Sequence, residues 1–519
     1  MKRVKRLVSL GLTVSMIAAC LIGCGGAKKD NGGTSQTDIE IAYWNSGYGT
    51  DWLDAMVEAF NEAHPEYHAY YKATADDSSI MGTLGKEEVD TVDIYMGLNS
   101  YDTTYLEPLD SLYDTVCEGD SKKLGEKFDE SYLELTRNAD GHYYGIPFAG
   151  GVMGIVYNKD LFEEAGITQA PRTTDELAAV CDELYNHDIP ATVHFKSGAG
   201  GYWEFITEEW IAQYCGIDYY LNRLYACADE NGNSPSKEVM KNQEDGRYQT
   251  LCAYEKFITP DYVLDGSNTN DHITSQTLFI NGKAAIMANG SWLSSEMSMN
   301  EAEDSFVWMR TPILSALRDK LATVKSETVL RKLVSAIDSV TDGEKQLSDY
   351  EKEGGYEIDG TFISKEDWDR VADARNALSI SFPAQPCMIP TYSNAKEGAM
   401  KFLEFMYSDK GYQIYTGKLH SILPMTPSEG EVDTTDWAAF EKQLVTFYND
   451  ATYFVSSGNS KRHEIYINGG ATLFPGCTNF VNYFCNKNAA DRMTADDVWA
   501  KMMTNIEDNY EKTWLVNIK

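Results

Sequence analysis

An α/β fold in more than one domain, interrupted by a helical insertion, is what this sequence predicts. Three observations carry that reading. Short alternating apolar runs are followed by amphipathic helices and then by further apolar runs. The 519 residues are more than a single hydrophobic core usually organises. Between Pro312 and Asn376 the alternation gives way to a helical period.

The elements follow in order. IEIAYW, Ile39–Trp44, alternates as a strand does. In the segment that follows, Leu53, Met56, Val57 and Phe60 share one helical face, and Pro65 stops the helix. YHAYYKAT and VDIYMG read as further strands. Strand, helix, strand in this rhythm implies right-handed parallel crossovers. Thr173 and Glu176 have capping-box spacing at the head of a helix reaching about Tyr185. AAIMANGSW, Ala284–Trp292, reads as a buried strand ending in a turn. Asn394 is placed to cap a helix with Ala399, Phe402, Leu403 and Met406 on one face. In the insertion, Leu330, Leu333, Val334, Ile337 and Val340 line one face, and Ser364 with Asp367 opens a second helix. The charged, glycine-rich stretch between them reads as loop.

The first residues have a different logic. Lys2, Arg3, Lys5 and Arg6 precede an uncharged run, Leu7–Ile22. That is the layout of a secretory signal. Roughly 16 residues is short for a membrane-spanning helix, which is the weaker reading. Leu21-Ile22-Gly23-Cys24 resembles the lipobox of bacterial lipoproteins, and Ile17–Cys20 matches it less well. The resemblance implies cleavage before Cys24 and acylation of that cysteine, palmitate included. It thus implies a signal peptide over 1–23 and a flexible Gly/Ser/Lys/Asn tether over 24–38. Acyl chains hold a protein to a bilayer at ~0.8 kcal/mol per buried methylene.

The formal charge is −36, and it becomes −40 once the four basic residues of the leader are removed. So acidic a body is a poor partner for nucleic acid or anionic lipid. The 33 tyrosines dominate the aromatic content and suit surfaces that bind polar ligands. Eight cysteines remain beyond Cys20 and Cys24, scattered and without a Cys-x-x-Cys clip. Their spacing leaves the disulfide state open.

Signatures of catalysis are missing. There is no Gly-x-Ser-x-Gly, no His-Glu-x-x-His, no phosphate loop and no dinucleotide fingerprint. SGAGG, Ser197–Gly201, lacks the lysine of a phosphate loop and reads as a turn. Asp229, Asn231 and Asn233 begin like a calcium loop, but Ser234 and Met240 stand where glycine and glutamate are needed. No metal and no cofactor is expected.

Three stretches together resemble the family 1 extracellular solute-binding proteins, the capture subunits of sugar ABC importers. They are IEIAYWNSG with its helix, Gly141–Leu184, and LFINGKAAIMANGSW, Leu278–Trp292. AKEGAMKFLEFMYSDKG is similar to a later helix of that family. The resemblance implies a two-lobed, type II periplasmic-binding-protein-like fold with the ligand between the lobes. It implies a first lobe of residues 39–147 and 312–413, with the helical insertion at 312–376, and a second lobe of 148–311 and 414–519. It further implies a non-enzymatic lipoprotein on the outer face of a bacterial cell membrane, handing an oligosaccharide to ABC permease subunits. A sugar needs aromatic faces for its C–H surfaces and fixed donors and acceptors for its hydroxyls. The strand tips offer Trp44, Asn45, Tyr48, Asn99, Tyr101, Phe148 and Trp292, and Trp203 follows the glycine-rich turn. Trp210, Trp308 and Trp368 are expected to pack. Pro147 and the following glycines are expected to form an interlobe hinge. An oligopeptide-binding importer subunit is the nearest rival, and a lipid-anchored glycoside hydrolase a more distant one.

Overall fold

The computed structural model describes residues 36–45, 47–74, 82–97, 102–128, 133, 136–138, 140–149, 151–196, 201–297, 305–380, 386–456 and 472–517. Cys24, the signal and most of the tether lie outside these residues, as do Asn99, Tyr101 and Gly150.

Two separate sheets define two lobes. In the first, β1 (Thr37–Trp44) runs parallel to β2 (Tyr67–Thr74) and β3 (Ile94–Met96). Alternation puts Ile39, Ile41 and Tyr43 on one face, all fully buried. The helix Asp51–Ala63 covers that face with Trp52, Leu53, Met56 and Phe60. Each such side chain contributes roughly 1.5–3 kcal/mol by leaving water. Helix Asp51–Ala63 ends two residues before Pro65, as expected. β4 (Ile146–Pro147) completes this sheet at its edge.

The chain then crosses to the second sheet. There β5 (Val152–Asn158) lies between antiparallel partners and is almost wholly buried. β6 (Thr192–Val193) and β7 (Ile286–Gly290) run parallel, and both β7 and β8 (Phe306–Met309) pair with β5. Thr173 accepts the Glu176 amide at 3.2 Å, while the Glu176 carboxylate reaches one residue further back, to the Arg172 amide at 2.8 Å. The capping signal was sound; only the reciprocal arm is shifted.

The insertion differs from expectation in two ways. It is not all-helical. Helices Glu327–Thr341 and Lys365–Arg375 flank an antiparallel sheet of β9 (Glu351–Lys352), β10 (Gly355–Ile358) and β11 (Thr361–Ser364). Asp359 and Gly360, at φ +48° and +78°, form the two-residue turn between β10 and β11. Asp-Gly is a strong hairpin signal, hidden here inside a charged stretch. Ser364 does cap its helix, accepting the Asp367 amide at 3.1 Å.

The insertion also belongs to the second lobe, not the first. The strand that follows it, β12 (Ala377–Ile380), pairs with β5. Only β13 (Pro386–Met388) returns to the first sheet, between β3 and β4. Gln213 holds the Leu314 amide, and Arg375 grips Asp338 and the carbonyls of Arg310 and Thr311. Helices Lys396–Met406 and Asp409–Leu419 then pack on the first lobe, Tyr415 against Trp52 at 5.0 Å. The lobe boundary at 413/414 therefore falls inside a helix, and the chain stays on the first lobe through Glu429, where Thr426 bonds Lys127 and Ser428 and Glu429 bond Asp409. Ala395, not Asn394, occupies the N-cap of Lys396–Met406. Helix Ala439–Asp450 lies on β8, with Phe440 stacked on Trp308 at 5.0 Å, and leads to β14 (Tyr453–Val455) beside β12. No helix among the described residues is long and apolar enough to cross a membrane. The eight described cysteines are all free.

Candidate functional site

Strand direction picks out the edge where a site is built. β1 and β3 both end on one edge of the first sheet, at Trp44 and Met96. β6 and β7 end on one edge of the second and lead to Phe195 and Trp292. The crossings from Pro147 to Val152 and from Ile380 to Pro386 join these two edges, so they face each other. In open α/β sheets, ligands bind beyond the carboxyl ends of strands.

The first lobe supplies Trp44, half-buried at the tip of β1. Its Cβ lies so close to Gly97 that a side-chain carbon there would sit 2.8 Å away, and Gly97 has φ +105°. Only glycine meets both demands. Asn45, also half-buried, donates its amide to Thr74 at 2.8 Å. Gly47 touches Trp292 across the cleft, a Cβ built on it falling 3.2 Å from the indole Cβ. Tyr48 is buried; its hydroxyl turns to Ser291 of the other lobe, and burial pushes its pKa up to about 12.

Trp292 forms the facing wall. The Ser291 amide donates to the Val152 carbonyl at 2.9 Å, extending the ladder by one residue and fixing the turn. The indole folds back over Gly290, where a Cβ would meet it at 2.2 Å. Its Nε1 is buried without an acceptor among the described residues. Tyr202 stands edge-on to it at 5.2 Å, and Phe195 edge-on to Tyr202 at 4.8 Å. Asn270 Nδ2 and Glu204 Oε2 are likewise buried and unpartnered among the described residues. Asn270 accepts the Lys196 amide beside Phe195, and Glu204 follows Tyr202 by two positions. Burial, aided by Glu208, raises the Glu204 pKa to about 7. Orphaned buried polar groups are uncommon in folded proteins; here one is on Trp292 itself, one on Glu204 two positions from Tyr202, and one on Asn270, which is bonded to the neighbour of Phe195.

Three expected site residues are core instead, Tyr48 among them, packed edge-on to Phe148 at 6.2 Å. Phe148 is fully buried, stacked on Trp52 at 5.5 Å and edge-on to Tyr43 at 5.7 Å. Pro147 ends the strand, but the next side chain turns under the sheet. Trp203 is fully buried between Tyr254 and Phe257. It starts the helix Trp203–Cys215, of which ten residues are buried. The preceding residue, Tyr202, takes the cleft edge that Trp203 was expected to hold. The signal available was the aromatic pair Phe195 and Tyr202 flanking a glycine run. Trp210, Trp308 and Trp368 pack, as expected, Trp210 donating to the Pro312 carbonyl at 2.8 Å. Asp229 is saturated by Asn231 and Asn233 of its own loop.

Two α/β sheets whose strand ends face each other across paired chain crossings define a two-lobed protein. Residues 46–413 match the bacterial extracellular solute-binding proteins. The chain belongs to that family. It is 27% identical over 173 residues to the maltotriose-binding protein of Pyrococcus abyssi, covering 31% of each chain. It is 22% identical to the maltooligosaccharide ABC transporter solute-binding lipoprotein of Streptococcus pneumoniae, over 54% of this chain and 62% of that one. These matches span less than two thirds of the relatives' lengths. Among solved structures, maltose-bound MalE3 of T. maritima aligns over 91% of this chain and 99% of its own, with a TM-score of 0.57 and 16% identity. At that identity the likeness is one of fold.

Proposed function

We propose that this protein captures a carbohydrate, an oligosaccharide, in the cleft and delivers it to the permease of an ABC importer. One observation supports the reading: Trp44 ends a strand of one sheet, Trp292 follows a strand of the other at the edge that faces it, and Trp292 carries a buried, unpartnered indole N–H. Flat apolar faces with fixed polar groups suit a ring of C–H faces and hydroxyls. The names of the maltotriose- and maltooligosaccharide-binding relatives point the same way. A peptide ligand has less use for facing indoles.

The protein is a binder and not a hydrolase in this reading. Of the three acids on helix Trp203–Cys215, Glu208 is taken up by the hydroxyls of Tyr220 and Tyr225, and Glu209 packs toward Thr311 and Ser379. Retaining and inverting hydrolysis both need two committed carboxyls. Anchoring is through acylated Cys24, with residues 1–23 removed and the following residues serving as tether. The test is calorimetric titration against maltooligosaccharides, chitooligosaccharides, mannooligosaccharides and peptides. One oligosaccharide series should bind with Kd near micromolar, about −8 kcal/mol, and be recovered intact. Peptide binding alone, or product formed in proportion to protein, would refute it. Mass spectrometry of the mature chain should find a diacylated or triacylated Cys24.

A further inference from the structure

The strongest backbone outlier near the cleft is Tyr202, at φ +59° and ψ −17°. A bulky residue in the left-handed region is disfavoured and persists only where its surroundings impose it. The surroundings are visible. Gly201 is also left-handed, at φ +54°, and a Cβ on it would lie 2.5 Å from the Phe195 ring. The Tyr202 side chain makes no N-cap hydrogen bond for the helix it precedes. What it does is hold its ring edge-on to Trp292 at 5.2 Å and 63°, backed by Phe195 at 4.8 Å and 82° and by Phe205, stacked at 5.7 Å and 21°. Gly290 removes the remaining obstacle beneath the indole.

Resting on the reading of the cleft as a carbohydrate site, we propose that Tyr202 is a positioning residue. The left-handed Gly201–Tyr202 corner wedges its ring against Trp292, so that the indole presents one fixed face to the ligand. Without the wedge, a half-buried indole on a turn samples several χ1 and χ2 wells. The ligand then selects one of them, and affinity falls by the fraction populated. The corner is over-determined by Phe195 and Gly201, which is how strain is retained at a functional site.

The test needs a readout independent of any ligand. In 15N-labelled protein the Trp292 indole N–H resonance is assigned by its loss in Trp292→Phe. Tyr202→Asn keeps a residue tolerant of left-handed backbone but removes the ring; Tyr202→Phe keeps the ring. The indole resonance should shift or broaden in Tyr202→Asn and stay in place in Tyr202→Phe. With the tightest-binding oligosaccharide of the panel, Tyr202→Asn should raise Kd by about tenfold. Tyr202→Phe, which keeps the ring, should raise Kd less than Tyr202→Asn does. In the Trp292→Ala background the Tyr202→Asn effect should vanish, because there is no indole left to position. Melting temperature should not fall in Tyr202→Asn; an additive loss of affinity with a lowered melting temperature would mark a purely structural role and overturn the proposal. An unmoved indole resonance in Tyr202→Asn would overturn it too. If no oligosaccharide binds the wild type, the functional reading fails, and the resonance alone decides on the wedge.

Discussion

Glycines set the side chains of this cleft more than the aromatics themselves do. Trp44 lies where it does because Gly97 leaves room beside it, and Trp292 because Gly290 leaves room beneath it. Adding one methyl at 290 puts carbon 2.2 Å from the indole, so the ring must swing away. Gly290→Ala should therefore weaken ligand binding by about as much as Trp292→Ala. Loss of a stacking platform is worth about 1–3 kcal/mol, judged by bases stacked on aromatic residues. Calorimetric titration of the two variants side by side checks this. Wild-type affinity in Gly290→Ala would show that the indole orientation is irrelevant. Trp44→Ala should cost a similar amount from the other wall, and the two tryptophan losses should add, since they act on opposite lobes.

Among the elements, helix Trp203–Cys215 carries the most unusual burden, because acids lie in its buried part. Glu209 is fully buried beside Thr311, Ser379 and Arg375, and burial, outweighing the help of those groups, pushes its pKa up to about 8. The unfolded value is near 4.5. Between these two values the folded protein holds a proton that the unfolded chain has released. Stability therefore falls as pH rises through that window and levels off above it. Glu209→Gln should raise the melting temperature at pH 8, and the advantage should shrink steadily toward pH 5. Glu204, raised to about 7, adds a smaller slope of the same sign that the substitution leaves in place. A pH-independent difference between the two proteins would mean that Glu209 stays ionised in the fold. The site of this acid has a structural consequence as well. Thr311 immediately precedes the insertion and Ser379 lies in the strand that follows it, so one buried side chain touches both of its roots.

At the scale of the whole molecule, two rigid sheets are joined by short crossings and touch at Gly47 and Trp292. If the lobes rotate as bodies about their crossings, a ligand that contacts both of them shifts the population toward closure. Small-angle scattering should show a smaller radius of gyration with saturating oligosaccharide than without. An unchanged radius with a tightly bound sugar would mean a fixed cleft. The insertion should move with the second lobe as one piece, because Arg375, Asp338 and Arg172 tie it there.

By itself the sequence determined the local elements, because strand alternation, helical faces, caps and prolines act within a few residues. β1 and its covering helix, the Thr173 and Ser364 caps and the α/β class were all legible that way. Tertiary structure alone decided which lobe takes the insertion, because the pairing of β12 with β5 joins residues far apart in the chain. It decided that Tyr202 and not Trp203 reaches the cleft, because one left-handed residue rotates every side chain after it. It also decided that Phe148 is core, because the ring stacked on it, Trp52, lies almost a hundred residues earlier. Neighbouring residues compete for core and surface by the packing around them, and no local period records which one wins.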